Sequence, residues 1–280
     1  MFYLLKSFIQ MKILLNNNDL NEALSRTTNL GFVPTMGSLH KGHISLIKRS
    51  LKECKKTIVS IFVNPTQFNN INDFKKYPRN SKKDLSILKK LNVNFVYLPK
   101  QKDIYSPYVK GKIKLKKKEK ILCAAHRKGH FEGVIDVMNR FTKLIKPSKI
   151  FMGEKDFQQL FLLKKKIQKK FGTKIILCKT VREHNKLAFS SRNSLLTKKN
   201  FIKAGKIAKS LISFKKNLRR NYNLKKLLTL KKKELINLYN IKIDYLELRN
   251  VRNLNIANKT VNSKIFIAYY LDKVRLIDNF

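Results

Sequence analysis

Two histidines three residues apart, His40 and His43, follow a glycine-containing turn in GFVPTMGSLHKGHISLIKRS (Gly31–Ser50). The turn, Thr35–Gly37, comes after a short apolar strand (Gly31–Pro34), and the spacing predicts a helix opening near Leu39. Side chains at i and i+3 share a helical face, so the two rings point the same way. A helix start carries unbonded backbone N–H groups and the positive end of the helix dipole, which suits an anion. Imidazoles placed there can stabilise negative charge as it develops on a phosphate. The competing reading is a pair of surface histidines on an amphipathic helix. A zinc site is weaker than either, since this H-x-x-H has no third ligand nearby.

Further groups along the chain bear on the same chemistry. Gly153-Glu154-Lys155-Asp156 stands between a predicted strand and a predicted helix. Lys155 there can meet phosphate oxygens as a point charge, while Asp156 either caps the helix or holds a metal ion. Gln158 and Gln159 open the helix, one facing a ligand and the other solvent; a carboxamide donates and accepts together, which suits a hydroxy-acid. Ser190-Ser191-Arg192-Asn193 offers two hydroxyls and a guanidinium to a polyphosphate, or else an N-cap turn to the next helix. Arg127 and His130, in HRKGHF, form either a basic loop beside the site or a surface turn. The chain contains no GxxxxGK[ST], GxGxxG or GxSxG, which removes P-loop, dinucleotide-fingerprint and nucleophile-elbow chemistry.

The elements that must position these groups alternate. Lys56–Val63 reads as a buried strand ended by Pro65, which leaves Asn64 and Gln67 on the loop at its C-terminal end. Lys82–Leu91 has helical spacing, Val93–Leu98 is a strand, and the 100–120 region is a lysine-rich strand or loop excursion. VIDVMNRFTKLI, following Gly133, is a helix stopped by Pro147, Lys149–Met152 a strand, Phe157–Phe171 a helix and Thr173–Cys178 a strand. Such alternation predicts βαβ units in a mostly parallel sheet, whose strand C-termini form the ligand-binding edge. Beyond Val181 a helical stretch (Thr197–Leu238) precedes Ile243–Arg249, Lys264–Leu271 and Val274–Asp278, strands with no helices between them. A smaller α+β domain is therefore expected over 181–280, after a parallel-sheet domain over 1–180.

Composition limits the rest. The chain has 280 residues, 43% of them hydrophobic, enough for a real core. No apolar run is long enough to span a bilayer, and the apolar opening MFYLLKSFIQMKILL is read as the first element of the fold. Cys54, Cys123 and Cys178 are scattered and form no CxxC pair, so a reducing cytoplasm is the expected setting. The formal charge is +46, from 63 Lys+Arg against 17 Asp+Glu. That excess is mostly lysine spread over every segment, beside abundant asparagine and isoleucine, the pattern AT-rich codons produce. It implies diffuse polyanion attraction and solvated faces at Lys114–Lys118 and Lys164–Lys170, with no specific nucleic-acid site and no membrane partner.

VPTMGSLHKGH (Val33–His43), SIFVNPTQF (Ser60–Phe68), FMGEKDFQQL (Phe151–Leu160) and LAFSSRN (Leu187–Asn193) resemble, in order and spacing, the pantothenate synthetase (pantoate–β-alanine ligase) family. Tyr77–Arg79, Gly129–Val134 and Arg275–Asn279 agree with it, so the resemblance covers nearly the whole chain. It implies a Rossmann-like domain with a smaller α+β C-terminal lid domain, usually as a homodimer in the cytoplasm. It also implies an AMP-forming ligase that joins pantoate to β-alanine through a pantoyl adenylate, with ATP as substrate and Mg2+ accompanying it. By resemblance His40 and His43 are the HxGH signature of a nucleotidyltransferase superfamily, His43 being the proton donor, with Lys155 beside them. Met36, Gly37, Ser38, Leu39, His40, Lys41, Gly42 and His43 would lie along ATP, together with Gly153, Glu154, Lys155, Asp156, Val181, Phe189, Ser190, Ser191 and Arg192. Gln67 and Gln159 would hold pantoate, and Asp156 would be the residue nearest to a metal ligand. Lys128, Asp136 and Lys186 depart from the family pattern. Lys186 stands where glycine is usual, at a position where a positive φ would cost about 1 kcal/mol. The alternative among enzymes is a nucleotidyltransferase of the same superfamily with another acceptor, and the alternative from another class is a basic RNA-binding protein on the same fold.

Overall fold

The computed structural model describes residues 10–105, 113–218 and 223–280. Most of the apolar opening and the middle of the 100–120 stretch lie outside these. Strands β1 (Lys12–Leu14), β2 (Leu30–Thr35), β3 (Lys56–Ile61), β4 (Phe95–Tyr97), β5 (Lys149–Gly153) and β6 (Lys174–Cys178) form one sheet in the order β1-β4-β3-β2-β5-β6. Every pairing in it is parallel. The chain winds outward from β2 through β3 to β4, then crosses back to add β5 and β6 on the other side. The order therefore reverses between β2 and β5, and the loops after those two strands flank the crevice where open α/β sheets take ligands.

Parallel strands are covered on both faces, which accounts for their near-continuous apolar runs. In β2, Phe32 enters one core with Tyr97, Phe141 and Ile150, while Val33 enters another with Ile47, Val59, Leu88 and Phe151. That split follows from the two-residue period of a strand. The helix His130–Ile145 lays Val134, Val137, Met138 and Phe141 on the first core, and Phe141 meets Phe32 edge-on at 5.6 Å between ring centroids. Each such fully buried side chain contributes about 2 kcal/mol. Lys146, left-handed at φ 49, ends the helix just before Pro147.

The expected helix over Phe157–Phe171 is continuous, but a π-helical stretch, Lys164–Gln168, interrupts it between Phe157–Leu163 and Lys169–Phe171. Lys165 and Lys166 there converge on the buried carboxylate of Glu119 at 2.8 and 3.5 Å, so this run is only partly a solvated face. The helical stretch after Thr197 is two helices, Lys198–Asn217 and Leu224–Tyr239. They cover one face of an antiparallel sheet of β7 (Lys242–Asn250), β8 (Ser263–Leu271) and β9 (Val274–Asn279). Alternation along β8 sends its side chains to two cores: Ile265, Ile267 and Tyr269 pack under those helices, whereas Phe266 and Ala268 join the core of the large sheet. Phe157 meets Phe266 edge-on at 5.7 Å, so the small sheet closes over the loop that follows β5. The expected parallel α/β sheet followed by a small α+β unit is what the chain forms. Among the described residues no helix is long and apolar enough to cross a membrane.

Candidate active site

The helix after β2 runs from Lys41 to Glu53, two residues later than its expected opening, and His40 is its N-cap. His40 Nδ1 accepts the Gly42 N–H at 3.1 Å, and His43 Nδ1 accepts the His40 N–H at 3.4 Å. The rings stack, with centroids 4.0 Å apart, and Phe189 continues the stack 6.0 Å from His40. Gly42 makes this possible, since a Cβ there would stand 2.9 Å from two atoms of the His40 ring. Both Nδ1 atoms act as acceptors, so each neutral imidazole carries its proton on Nε2. Burial, with Lys155 nearby, lowers His40 to about 4; burial, with His40 and Lys155, holds His43 well below 6.5. The pair is neutral at physiological pH.

This geometry corrects the expectation of free backbone donors. Gly37 N–H donates to Thr35 Oγ1 at 3.2 Å, and the Ser38 and Leu39 N–H groups each donate to Asp84 at 2.8 Å. With His40 and Gly42 also engaged, the turn keeps its amides for itself and presents imidazole Nε2–H groups in their place. Asp84, only 1% exposed, arrives on the helix Ser81–Lys90, 45 positions from Leu39 in sequence. Sequence reasoning missed it. Its signal was an acidic residue in line with Leu88 and Leu91, on the apolar stripe of a helix otherwise edged with lysines. Gly37, at φ +79, leaves 3.0 Å between a hypothetical Cβ and the Asp84 carboxylate, so glycine is required by conformation and by space.

A cavity of about 840 Å3 opens at the strand C-termini. It is lined by Met36, His40, Gly42, His43, Gln67, Gly153, Lys155, Asp156, Gln159, Val181, Phe189, Ser190, Ser191 and Arg192. Gly37, Ser38, Leu39, Lys41 and Glu154 stand outside that lining. The first three build the turn, and Lys41 Nζ lies 5.9 Å over the Phe189 ring. The Glu154 carboxylate turns to Lys264 at 3.1 Å. Lys155 Nζ is 3.0 Å from Asp156 Oδ1, and the carbonyls of Glu154 and Lys155 each accept from Asn279 Nδ2 at 2.9 Å. The last strand thus holds the lysine turn in place. Asp156 makes no capping hydrogen bond. Gln158 does not face solvent: it is buried, donating to the Ile121 carbonyl at 2.7 Å, while the half-buried Gln159 faces the cavity.

Opposite, the Pro65–Gln67 turn is held by buried Asn64, which donates to Gln67 Oε1 at 3.2 Å and to the Gly133 carbonyl at 3.3 Å. A Cβ on Gly133 would come within 2.4 Å of the Thr66 carbonyl oxygen, so glycine permits this close approach. Gln67 Nε2 reaches Met36 Sδ at 3.0 Å, linking the β3 loop to the β2 loop. Arg127 and His130 also line the cavity, which decides between their two readings: they form a wall of the site. The Ser-Ser-Arg segment hooks inward, Ser191 Oγ donating to the Ser38 carbonyl at 3.2 Å and Arg192 pairing with Asp73 at 2.9 Å. Lys186, two residues before Ala188, has φ +76 in the turn leading to that hook, the strained conformation expected of a site that prefers glycine. Lys128 is exposed, and its carbonyl accepts from Asn69 Nδ2; Asp136 pairs with Arg140 at 3.1 Å. Among the described residues no cluster of three His, Cys, Asp or Glu side chains could hold a metal ion.

At the switch point of a reversing parallel sheet, a stacked H-x-G-H pair, a lysine and a serine-arginine hook surround one cavity, a set of groups suited to an anionic ligand. The pantoate-beta-alanine ligase family model matches residues 10–280. The chain is 40% identical over 268 residues to the pantothenate synthetase of Francisella tularensis subsp. mediasiatica, covering 94% of this chain and 93% of that protein. Pantothenate synthetase from Thermus thermophilus superposes with a TM-score of 0.90 at 30% identity, over 96% of this chain and 99% of that one. The pantoate-beta-alanine ligase of Francisella tularensis, complexed with beta-gamma ATP and beta-alanine, matches with a TM-score of 0.82 at 38% identity over 97% of each. The chain belongs to the pantoate-beta-alanine ligase family.

Proposed function

We propose that the protein joins (R)-pantoate to β-alanine with ATP, by way of a pantoyl adenylate, releasing pyrophosphate and then AMP. In the first step a carboxylate oxygen of pantoate bonds to the α-phosphorus as the bond to the bridging oxygen of pyrophosphate breaks. In the second, the β-alanine amine attacks the acyl carbon, AMP departs with the C–O electron pair, and the amine loses a proton. One observation supports this above all: neutral His40 and His43, Lys155 and Arg192 line a single cavity with Gln67 and Gln159. The first four suit a polyphosphate, and the two glutamines suit a small hydroxy-acid.

Phosphoryl transfer of this kind asks for positioning and charge stabilisation more than for covalent help. Neutral imidazoles donate Nε2–H bonds that strengthen as charge grows on the α-phosphate oxygens, which is stabilisation biased toward the transition state. His43 acts as a hydrogen-bond donor and keeps its proton, since a group held so far below 6.5 is not a cation at neutral pH. Lys155 and Arg192 take the flanking phosphates, with Val181, Phe189, Ser190 and Ser191 completing the ATP pocket, and Gln67 and Gln159 orient pantoate. Asp156, with its half-exposed carboxylate, would be the residue to hold a Mg2+ ion accompanying the nucleotide, and that ion would supply neutralisation of phosphate charge. Residues 1–180 carry the ATP and pantoate sites, and 181–280 form the lid domain that keeps water from the mixed anhydride. The protein acts in the cytoplasm as a homodimer, with no specific nucleic-acid or membrane partner.

The test is AMP formation with each substrate omitted in turn. Sustained AMP release that needs both pantoate and β-alanine is expected; release that ignores them contradicts the reading.

A further inference from the structure

Three guanidinium groups line the cavity, and they are not equivalent. Arg192 holds Asp73 at 2.9 Å and Arg275 holds Asp244 at 2.8 Å. Arg127 has no carboxylate partner among the described residues. Its hydrogen bonds go to neutral acceptors, His130 Nε2 at 2.9 Å and the Gln67 carbonyl at 3.5 Å. Burial, with Arg192 and Arg275 nearby, lowers it to about 10, the mark of a cation short of an anion.

The arrangement holds this charge in a fixed place. His130 Nδ1 lies 2.7 Å from the Gln67 carbonyl and donates to it, so Nε2 presents a lone pair to the guanidinium. Burial and Arg127 itself lower His130 to about 3, which keeps the ring neutral and able to accept. The Gln67 carbonyl belongs to the turn that Asn64 pins to Gly133. A half-buried cation so fixed, with donors to spare, is a preorganised receptor for a planar anion.

We propose that Arg127 binds the carboxylate of the amine substrate, β-alanine in the reading above on which this inference rests, and that His130 is its positioning residue. The chemistry separates the candidate anions. The triphosphate has Lys155 and Arg192. Pantoate's carboxylate is the nucleophile of the first step and becomes an uncharged acyl group, so a guanidinium clamped on it would blunt its attack and then lose its partner. The β-alanine carboxylate stays ionised through both steps, and fixing it aims the amine from a constant distance. Arg127 therefore selects amines that carry a carboxylate, and acts in the second step.

The experiment compares β-alanine with 3-aminopropanamide as acceptor, in wild type and in Arg127→Gln and Arg127→Lys. Wild type is expected to prefer β-alanine by about 10- to 100-fold in kcat/KM, the range of a charge-assisted hydrogen-bonded pair. Arg127→Gln should raise the KM for β-alanine by a similar factor and abolish the preference. Arg127→Lys should recover part of it. Pantoate-dependent exchange of pyrophosphate into ATP, run without β-alanine, reads the first step separately. A wild type that uses both amines equally overturns the proposal whether or not the variants fold. Exchange that falls in step with β-alanine use assigns Arg127 to ATP or pantoate and also overturns it. Absence of pantoate-dependent exchange in wild type sinks the adenylate reading itself, a separate outcome.

Discussion

Replacing Asp84 with asparagine exchanges one carboxylate oxygen for an NH2 group while keeping the shape of the side chain. In the wild type Oδ1 accepts from Leu39 N–H and Oδ2 from Ser38 N–H, both at 2.8 Å, at a carboxylate 1% exposed. The amide can satisfy one of these donors and must point its own N–H at the other. Losing a hydrogen bond to a charged acceptor, and leaving a buried donor unmatched, costs about 3 kcal/mol. For a chain of this size that lowers Tm by roughly 5 °C. The function suffers more than the stability. The Ser38–Leu39 segment leads directly into His40, and a shift of about 1 Å in a positioned group is worth about 100-fold in rate. The assay pairs urea denaturation with pantoate-dependent exchange of labelled pyrophosphate into ATP. Asp84→Asn with unchanged stability and unchanged exchange would refute the claim that this carboxylate sets the turn.

Other consequences follow from the same geometry. Stability should fall as pH drops from about 6.5 toward 4. His40, His43 and His130 stay neutral in the folded state, with His40 at about 4 and His130 at about 3, while the unfolded chain binds their protons. Urea midpoints that rise as pH falls through this window contradict that sign. Gly42→Ala should slow exchange at least tenfold with little change in unfolding, because the new Cβ strikes the His40 ring before it touches any core; measuring both quantities separates the site from the helix. Lys186→Gly should stabilise the protein by about 1 kcal/mol in urea denaturation by relieving the backbone at φ +76, and a destabilised variant would show that the lysine side chain matters more.

The large sheet was legible because its signals are local. Fully buried parallel strands such as Phe32–Val33 and Val59 are unbroken apolar runs, and the Pro147 stop and the Pro65 break sit where the strand and helix patterns end. The strands of the small sheet were legible as Ile243–Arg249, Lys264–Leu271 and Val274–Asp278, runs close together with no helices between them. The H-x-G-H pair and the two glutamines could be picked out by type, since the chemistry of imidazole and carboxamide does not depend on the fold. What the turn's amides bond to was not legible, because Asp84 reaches them from another helix and no spacing rule spans that separation. The same holds for Arg127. Its type and its neighbour His130 were visible, but that it meets Gln67 and no carboxylate depends on where the His130–Ile145 helix packs. The protonation of the histidines is likewise a property of burial, which lowers His40 and His43 and keeps them neutral.

The central claim is that the His40–His43 pair stabilises charge at the α-phosphate during adenylation, and one measurement addresses it directly. Pantoate-dependent exchange of labelled pyrophosphate into ATP, without β-alanine, is compared in wild type and His43→Ala at neutral pH. The account predicts clear exchange in the wild type and a loss of about 100-fold or more in the variant, with the fold intact by circular dichroism. Near-normal exchange in His43→Ala would contradict it.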